Sequence, residues 1–571
     1  MSSQAAAAIK IRLLGWGARL WLQRLARPFS VAARRLAAIG ARRPERLAIA
    51  PRDIRTADPI AARDIYAGVF AFAGRTADSH GLSPFELPAP SQNWAEALHG
   101  FGWLRDLAAA NTGLSRANAQ ALVEDWLNVT ARRSRTADLA AAYEPRVIAR
   151  RLLSWLSNSP MILESADRNA YRRFARSIGA QAFMLERALA YGLTGEARLT
   201  AAIALTQTGL SLEDAAPLLR RATRLLAAEL SRQILADGGH VARNPQTLVE
   251  LLLDLLPTRQ AFAARGVTPP EQLLNAIDRM TPMLRLFRHV DGALANFNGM
   301  TVGAPETLAT LLAYGDAGAA TIDAPYSGYQ RLEAGASVAI IDVGAPPPWE
   351  FSQEAHAGCL SFEFSSDFYR IIVNCGAPPS ELVEARAAAR ATAAHSTLVI
   401  GDRSSCRFAG ATPLESLAKG AVLEGPSNIE AKRSVEADWL HVEASHNGYA
   451  RSFGVLHQRR LILRRDGLAL FGEDRLAPAG KSKRADEAAV ATRFHLHPDV
   501  RSEAGETGAA LILPSGEQWL FEAGGRPIAL EESIFFASPG RPRRSTQLVV
   551  HSTLADSEPI VWSLARAETA G

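Results

Sequence analysis

The hydrophobic period of the chain changes across the stretch Gly318-Ala-Ala-Thr-Ile-Asp-Ala-Pro-Tyr-Ser-Gly-Tyr329. Between residues 91 and 313, apolar side chains recur every three to four positions and Gly, Pro or Asn stands at the breaks, which predicts successive helices. After residue 330 the chain consists of short β-branched runs bounded by turn residues, which predicts strands. We therefore expect an α+β chain of two large domains, the first helical and the second built from antiparallel sheets stacked as a sandwich.

The bounds of individual helices and strands can also be predicted from the sequence. Helices are predicted at Ala117–Val129, Val147–Ser157, Arg172–Tyr191, Leu212–Leu235 and Thr247–Leu256, and strands at Ser337–Val343, Leu360–Phe364, Tyr369–Asn374, Ser396–Ile400 and Gln547–His551. The Asp466-Gly467 step predicts a hairpin between Arg460–Leu463 and Leu468–Phe471. The predicted organisation is a basic tail over residues 1–46, a helical domain over 47–322 and a β-sandwich over 323–571.

Composition excludes several classes of protein. With 571 residues, of which 48% are hydrophobic and 21% charged, the chain can bury sizeable cores and lacks the polar bias of a disordered protein. No apolar run approaches the roughly 18 to 20 residues that span a bilayer, so we do not expect an integral membrane protein. Three cysteines form neither a disulfide framework nor a CxxC zinc module.

Positive charge is concentrated in the tail. Residues 1–46 carry ten Lys and Arg against one acidic residue, whereas the rest of the chain has 53 basic and 57 acidic residues. A folded body without excess positive charge argues against nucleic acid as a partner. Apolar residues at near-helical spacing, among them Trp16 and Trp21, alternate with arginines, which predicts an amphipathic helix that contacts an anionic membrane or docks on its own domain. The charges leave no apolar core for a signal peptide.

The most informative segment is Glu354-Ala-His356-Ala-Gly-Cys359-Leu-Ser-Phe-Glu363-Phe, followed by Ile371-Ile-Val-Asn374-Cys-Gly and His395-Ser-Thr-Leu-Val-Ile. In this order the segment resembles the heparinase II/III-like family of polysaccharide lyases, in which a His-Ala-Asp-His-Leu-Ser-Phe-Glu pattern precedes a strand ending Val-Asp-Pro-Gly and a later His-Asn-Thr-Val strand. The likeness extends over most of residues 60–565.

The resemblance implies an incomplete (α/α) toroid joined to an antiparallel β-sandwich, with an acidic polysaccharide bound in the cleft between them. It also implies β-elimination at a uronic acid: the carboxylate is neutralised, a base removes the C5 proton and an acid protonates the leaving oxygen. His356 matches the family's catalytic histidine. The family's setting implies the cell envelope or periplasm, while the absence of a clear signal peptide leaves the cytoplasm or the inner-membrane periphery open.

The chain departs from the family pattern at important positions. Glu196, in Gly195-Glu196-Ala197, stands where the family has the neutralising Asn of Gly-Asn-His, and Thr247 stands at the catalytic tyrosine position. Two carboxylates about 4 Å apart at an effective dielectric near 20 repel by roughly 4 kcal/mol, so Glu196 would oppose uronate binding unless a cation intervenes. Losing an acid/base group typically costs on the order of 10²- to 10⁴-fold in rate.

Other residues could replace the missing groups, and each also has a structural interpretation. Tyr326 and Tyr329 are candidates for the proton donor or for packing at the hinge. Arg198 and Arg243 are candidates to neutralise the uronate. The loop residues His240, Asn244 and Asn298 could contact sugar hydroxyls or simply form turns.

The resemblance also raises a metal site. His395 matches a histidine that binds metal in some family members, but the neighbouring positions are Cys359 and Asn374, and an amide is a poor zinc ligand. We expect no cofactor to be required and zinc well below one equivalent. Two functions stay open: a lyase of acidic polysaccharide that uses His356, and a non-catalytic glycan-binding or envelope-assembly protein on the same scaffold.

Overall fold

The computed structural model describes residues 11, 13–15, 17–18, 46–132, 139–314, 318–379, 381–418, 420–480, 487–505, 507–556 and 558–568. Most of the predicted tail, including Trp16 and Trp21, lies outside these residues. Contacts divide the chain into two compact units. We call residues 14–233 and 250–277 the helical unit, and residues 1–13, 234–249 and 278–571 the sandwich unit.

Helices dominate the chain before residue 314. They span Ala61–Tyr66, Gln92–Gly100, Leu104–Ala110, Gly113–Arg132, Pro145–Ser157, Ser159–Ile162, Arg168–Ala190, Gly195–Ser211, Ala216–Gln233, Pro245–Ala264, Glu271–Leu286 and Pro305–Ala313. A small hairpin joins Val69–Phe72 to Arg75–Asp78. The predicted helical segments fall on these helices, although the segment predicted at Leu212–Leu235 begins only at Ala216. No helix among the described residues is long and apolar enough to cross a membrane.

Local sequence explains where several helices begin. The side chain of Ser91 accepts a hydrogen bond from the backbone N–H of Trp94 at 3.1 Å, which caps the helix Gln92–Gly100. Asp167 Oδ1 likewise accepts from the N–H groups of Asn169 and Ala170, at 2.8 and 2.7 Å, before the helix Arg168–Ala190. These caps satisfy N–H groups that have no partner within the helix itself.

Aromatic rings fill part of the helical core. Phe101, Trp126 and Trp155 meet edge to face, with centroids 5.3 to 6.0 Å apart. The fully buried Arg151 lies 4.3 Å above the Trp126 ring and donates to the carbonyl of His99 at 2.8 Å. Burial lowers the pKa of Arg151 to about 9, because the low dielectric disfavours its charge.

The sandwich unit contains two large antiparallel sheets. Strands of the first are hydrogen-bonded in the order Ala529–Phe535, Arg543–Thr553, Ala489–Leu496, Tyr369–Val373, Phe362–Ser366, Ser337–Asp342, Tyr329–Ala334 and Asp323–Ala324, and Leu398–Ile400 also pairs with Ala489–Leu496. The second runs Ile429–Val435, Trp439–His446, Val455–Arg464, Ala469–Pro478, Ile560–Arg566, Gln518–Glu522, Gly508–Ile512 and Arg501–Ala504. A short pair joins Arg407–Phe408 to Val422–Glu424.

The period change therefore predicts the fold class correctly. The helices described after residue 340 are short, at Val383–Ala389, Pro413–Ser416 and Ala450–Phe453. The predicted strands lie on or beside the observed ones, and the hairpin around Asp466-Gly467 joins Val455–Arg464 to Ala469–Pro478. Both sheets contribute to one apolar core. Within it Phe362 stacks on Trp562 at 5.3 Å, and Gly472 leaves room for the indole, since a Cβ there would lie 2.0 Å from the ring.

One described residue of the tail, Leu13, belongs to the core of the sandwich unit. Leu13 is 3% exposed and packs with Ala409, Ala418, Ala421 and Leu423. The neighbouring Ile11 and Leu14 are exposed. The described residues of this segment between 11 and 18 are helical, in agreement with the predicted helical spacing. The burial of Leu13 supports the interpretation in which the tail docks on its own chain.

Candidate functional site

The loop of residues 234–244 carries the first group of predicted site residues within the sandwich unit. Asp237 anchors this loop because its Oδ2 accepts hydrogen bonds from the N–H groups of Tyr326 and Ser327 at 2.9 and 2.7 Å. The backbone at Arg243 is left-handed, with φ of 59°, a conformation that costs a non-glycine residue roughly 1–2 kcal/mol. That conformation turns the chain into the helix Pro245–Ala264.

The Arg243 side chain is buried and fully occupied. Its guanidinium donates to the carbonyl oxygens of Ser327, Gly328, Gly344 and Ala345 at 2.7 to 3.2 Å, and it forms an ion pair with Asp342. Burial alone would lower the pKa of Arg243, but the Asp342 carboxylate raises it. A Cβ at Gly344 would lie 2.3 Å from this guanidinium, so the position requires glycine. All three nitrogens of the Arg243 guanidinium thus have partners within the protein, and none is free to neutralise a uronate as the sequence predicts. Arg243 acts here as a structural cation.

Tyr329 belongs to the same buried network. Its side chain is 0% exposed, and its hydroxyl donates to the Arg243 carbonyl at 2.7 Å. Asn298 Nδ2 donates to the Tyr329 hydroxyl at 2.8 Å and to Asp342 Oδ2 at 3.3 Å. Burial raises the pKa of Tyr329. This geometry favours packing over proton donation as the role of Tyr329. The other candidate, Tyr326, is 69% exposed.

His356 and His395 form a buried pair in the sandwich unit. His395 Nδ1 lies 2.8 Å from the Ala391 carbonyl and must donate to it, so His395 Nε2 accepts from His356 Nδ1 at 3.0 Å. His356 Nε2 is then the nitrogen with a lone pair. Burial and the neighbouring His395 lower the pKa of His356, and burial lowers that of His395 to about 4. His356, which is 6% exposed, is therefore a neutral base at pH 7.

The residues around this pair do not fit zinc. Both ring nitrogens of His395 already have hydrogen-bond partners. Burial raises the pKa of Cys359 well above its usual value, so the thiol is protonated in the metal-free chain. Asn374 Oδ1 accepts from the N–H of Ser396 at 3.0 Å. Within the described residues, no three His, Cys, Asp or Glu side chains are arranged to hold a metal ion.

The remaining loop residues of the sandwich unit also have structural partners. His240 is buried, its Nδ1 accepts from the Ala242 N–H at 3.1 Å, and burial lowers its pKa to about 3. Asn244 Oδ1 accepts from the Gln246 N–H at 2.9 Å, as in an Asx turn. Asn298 Oδ1 accepts from the His356 N–H at 3.1 Å. Thr247, at the family's tyrosine position, is buried in the first turn of the helix Pro245–Ala264.

Glu196 and Arg198 lie in the helical unit, in the first turn of the helix Gly195–Ser211. Glu196 is exposed. Arg198 Nε donates to Glu229 Oε1 at 2.7 Å, and its Nη1 donates to the carbonyl of Leu193 at 3.3 Å. Arg198 is thus paired with a carboxylate of its own unit, which reduces its value as a neutraliser of a substrate carboxylate.

Sequence reasoning did not single out Asp342, the carboxylate at the centre of this network. It ends the buried strand Ser337–Asp342 and is followed by Gly344, whose missing side chain makes room for Arg243. An aspartate closing an otherwise apolar, fully buried strand was the available signal, because such a charge needs a buried partner.

The two sheets, the preceding helices and the histidine pair define a scaffold of the polysaccharide-lyase type. The family model "Heparinase II/III-like, C-terminal" matches residues 316–563. FtsZ-localized protein C of Caulobacter vibrioides is 32% identical over 549 residues, covering 92% of this chain and 91% of that protein. The chain belongs to the heparinase II/III-like family, as the sequence motifs indicated.

Solved structures agree on the fold. A crystal structure of heparinase III matches with a TM-score of 0.67 at 14% identity, covering 95% of this chain and 91% of that one. Heparan sulfate lyase HepC of Pedobacter heparinus matches with a TM-score of 0.59 at 15% identity, covering 96% and 89%. At these identities the likeness establishes the shared toroid and sandwich architecture and does not extend to activity.

Proposed function

We propose that this chain is a non-catalytic member of the heparinase II/III-like family that acts with FtsZ. The observation that carries the proposal is the occupied state of Arg243 and Tyr329, which hold the sandwich unit together through Asp342 and four carbonyl oxygens. Two sequence departures also argue against catalysis: Thr247 stands where the family has its catalytic tyrosine, and Glu196 stands where it has the neutralising asparagine. The name of FtsZ-localized protein C, related over nearly the whole chain, supports the FtsZ partner.

The basic tail supplies a second part of this proposal. Its nine net positive charges would attract it to an anionic membrane, at roughly 1 kcal/mol per Lys or Arg near the surface. Leu13 docks on the sandwich unit while Ile11 and Leu14 stay exposed, so part of the segment has apolar surface available. We propose peripheral contact of residues 1–46 with anionic lipid.

Sedimentation tests both partners with the same two proteins, the full chain and a chain truncated to residues 47–571. Both are expected to pellet with GTP-assembled FtsZ, because the family scaffold lies beyond the tail. Of the two proteins, only the full chain should pellet with anionic vesicles at low salt. High salt should release it, since screening removes the attraction between the tail and the lipid. Failure of both proteins to pellet with FtsZ would contradict the FtsZ proposal, and retention of the truncated chain on vesicles would contradict the role of the tail.

A second candidate function is β-elimination of a uronate-containing polysaccharide with His356 as the base. The lone pair on His356 Nε2 favours it, because a neutral imidazole can accept the C5 proton, while the lowered pKa makes the ring a weaker base. Against it, the structure offers no free cation at Arg243 and no exposed hydroxyl at Tyr329 to complete the proton transfer.

An absorbance assay separates the two functions. Elimination leaves a C4–C5 double bond conjugated to the carboxylate, so product appears as new ultraviolet absorbance. We expect no increase above background for the wild type or His356→Ala across a panel of uronate polysaccharides, with an active family lyase as the positive control. Wild-type turnover that His356→Ala reduces by about 10²-fold or more would establish the lyase. Turnover equal in both proteins would refute the non-catalytic proposal and exclude His356 as the base.

A further inference from the structure

Leu13 of the basic tail is buried on a small apolar surface of the sandwich unit. Its side chain is 3% exposed, whereas Ile11, two positions earlier, is 70% exposed. The residues that pack with Leu13 are Ala409, Ala418, Ala421 and Leu423, with the partly buried Trp349 and Leu414 beside them. We call residues 407–418 and 420–424, which supply most of this surface, the tail-binding segment. The burial of one tail residue next to an exposed neighbour indicates a specific contact.

The tail-binding segment is itself an ordered element. Its strands Arg407–Phe408 and Val422–Glu424 pair antiparallel. Next to this pair, the N–H of Ala409 donates to the carbonyl of Ala421 at 2.8 Å. Leu13 therefore packs on a surface whose shape is fixed by backbone hydrogen bonds of the sandwich unit.

The opposite face of the tail-binding segment packs on the loop that carries His356. Apolar residues of the two form one buried cluster, which contains Ala355, Ala357, Cys406, Val422 and Phe408. Successive residues of a strand point to opposite faces, so Val422 faces this loop and Leu423 faces Leu13. The tail-binding segment thus lies between Leu13 and the loop that carries His356.

The apolar row of the tail that includes Leu13 is also the row that a bilayer would bury. In the sequence, Ile9, Trp16 and Leu20 stand four, three and seven positions from Leu13, which is the spacing of one helix face. A basic helix on an anionic surface buries such a row between the headgroups and the acyl chains. Leu13 cannot be buried in a bilayer and on the tail-binding segment at the same time.

We propose that the tail has two mutually exclusive positions, docked on the tail-binding segment in solution and bound to an anionic membrane. The inference rests on the membrane contact proposed for the tail and adds a competitor for it within the same chain. Docking lowers the fraction of molecules whose tail is free, and the apparent affinity for membrane falls by the same factor. Membrane binding in turn uncovers the apolar surface around Ala421 and Leu423.

Weakening the docked position should strengthen membrane binding. Leu423→Gln places a polar side chain under Leu13 and leaves the tail unchanged. At low salt it should lower the concentration of phosphatidylcholine–phosphatidylglycerol vesicles that pellets half of the full chain, by about threefold or more. The matched control is Leu530→Gln, on the strand Ala529–Phe535 outside the tail-binding segment, which should pellet like the wild type. An unchanged or higher half-binding concentration for Leu423→Gln would overturn the proposal.

Hydrogen exchange tests the docked position without altering the sandwich unit. Leu13→Gln should speed exchange of the amides of Val422–Glu424 by about threefold or more, whereas Ile11→Gln, at an exposed site, should not. Anionic vesicles should speed exchange of the same amides in the wild-type full chain, because they withdraw Leu13. Equal exchange in the two variants would show that Leu13 does not dock and would overturn the proposal.

The two measurements together separate this inference from the proposed membrane contact. If the full chain pellets with the vesicles while exchange in Val422–Glu424 stays unchanged, the tail binds membrane without leaving the sandwich unit, and only the competition is refuted. If neither the wild type nor Leu423→Gln pellets with the vesicles, the membrane contact and the competition are both refuted.

Discussion

Acidification from pH 7.5 to about 5 is expected to unfold the sandwich unit before the helical unit. Six buried histidines of the sandwich unit have lowered pKa values, namely His240, His356, His395, His446, His457 and His495. Among the described residues of the helical unit, His99 is the buried histidine with this property. Burial is the largest cause in every case.

The sign of the effect follows from proton uptake. A buried histidine whose pKa is about 3 stays neutral in the folded state, while in the unfolded chain it takes up a proton below about pH 6.5. Stability is therefore complete above pH 6.5 and falls as the pH drops toward the folded pKa, by about 1.4 kcal/mol per pH unit for each histidine. Because the sandwich unit has several such histidines and the helical unit has one, the stability of the sandwich unit should fall more steeply with acidification.

Hydrogen exchange with mass spectrometry can follow the two units separately. Peptides from the strands Val455–Arg464 and Ala489–Leu496 should lose protection at a higher pH than peptides from the helices Pro145–Ser157 and Gly195–Ser211. His495→Gln should make the loss of protection less steep, whereas His551→Gln, at an exposed site, should not. Simultaneous loss of protection in both units, or earlier loss in the helices, would show that buried histidines do not set the acid stability.

The spacing of apolar residues predicts a helix or strand well when one of its faces is buried and the other is exposed to solvent. Elements that lack such an exposed face are harder to predict from the sequence. The helix Arg168–Ala190 meets this condition and falls where the sequence placed a helix. The helix Gly195–Ser211 does not, because nearly all of its residues are buried and its apolar residues show little periodicity. A helix of this kind is recognised only from its length and its place between turn residues, and its bounds do not follow from periodicity.

The candidate site depends on contacts between distant residues, which one sequence does not reveal. Arg243 looks like an ordinary loop arginine, and its partner Asp342 lies 99 residues away. Tyr329 likewise looks available at a hinge, yet it is buried under Asn298 and the Arg243 backbone. The resemblance placed His356 and His395 in related motifs, but their direct hydrogen bond emerges only from the fold.

Asp342→Asn is expected to reduce the free energy of unfolding of the sandwich unit by about 3–5 kcal/mol, because it leaves the buried Arg243 charge without a carboxylate. Asparagine keeps the shape of the side chain and one acceptor, so the change reports mainly on charge. Urea unfolding at pH 7.5 measures it. The control is Asp367→Asn, where the partly exposed carboxylate lies 3.6 Å from Arg566 and should contribute less than about 1 kcal/mol.

The size of this difference bears on function as well as on stability. A large loss for Asp342→Asn beside a small one for Asp367→Asn means that the Arg243 charge is bound to the protein itself, as a non-catalytic scaffold requires. An equally small loss in both variants would mean that the guanidinium does not depend on its buried carboxylate. Arg243 could then turn toward a uronate, and the lyase mechanism would regain the neutralising group that it otherwise lacks.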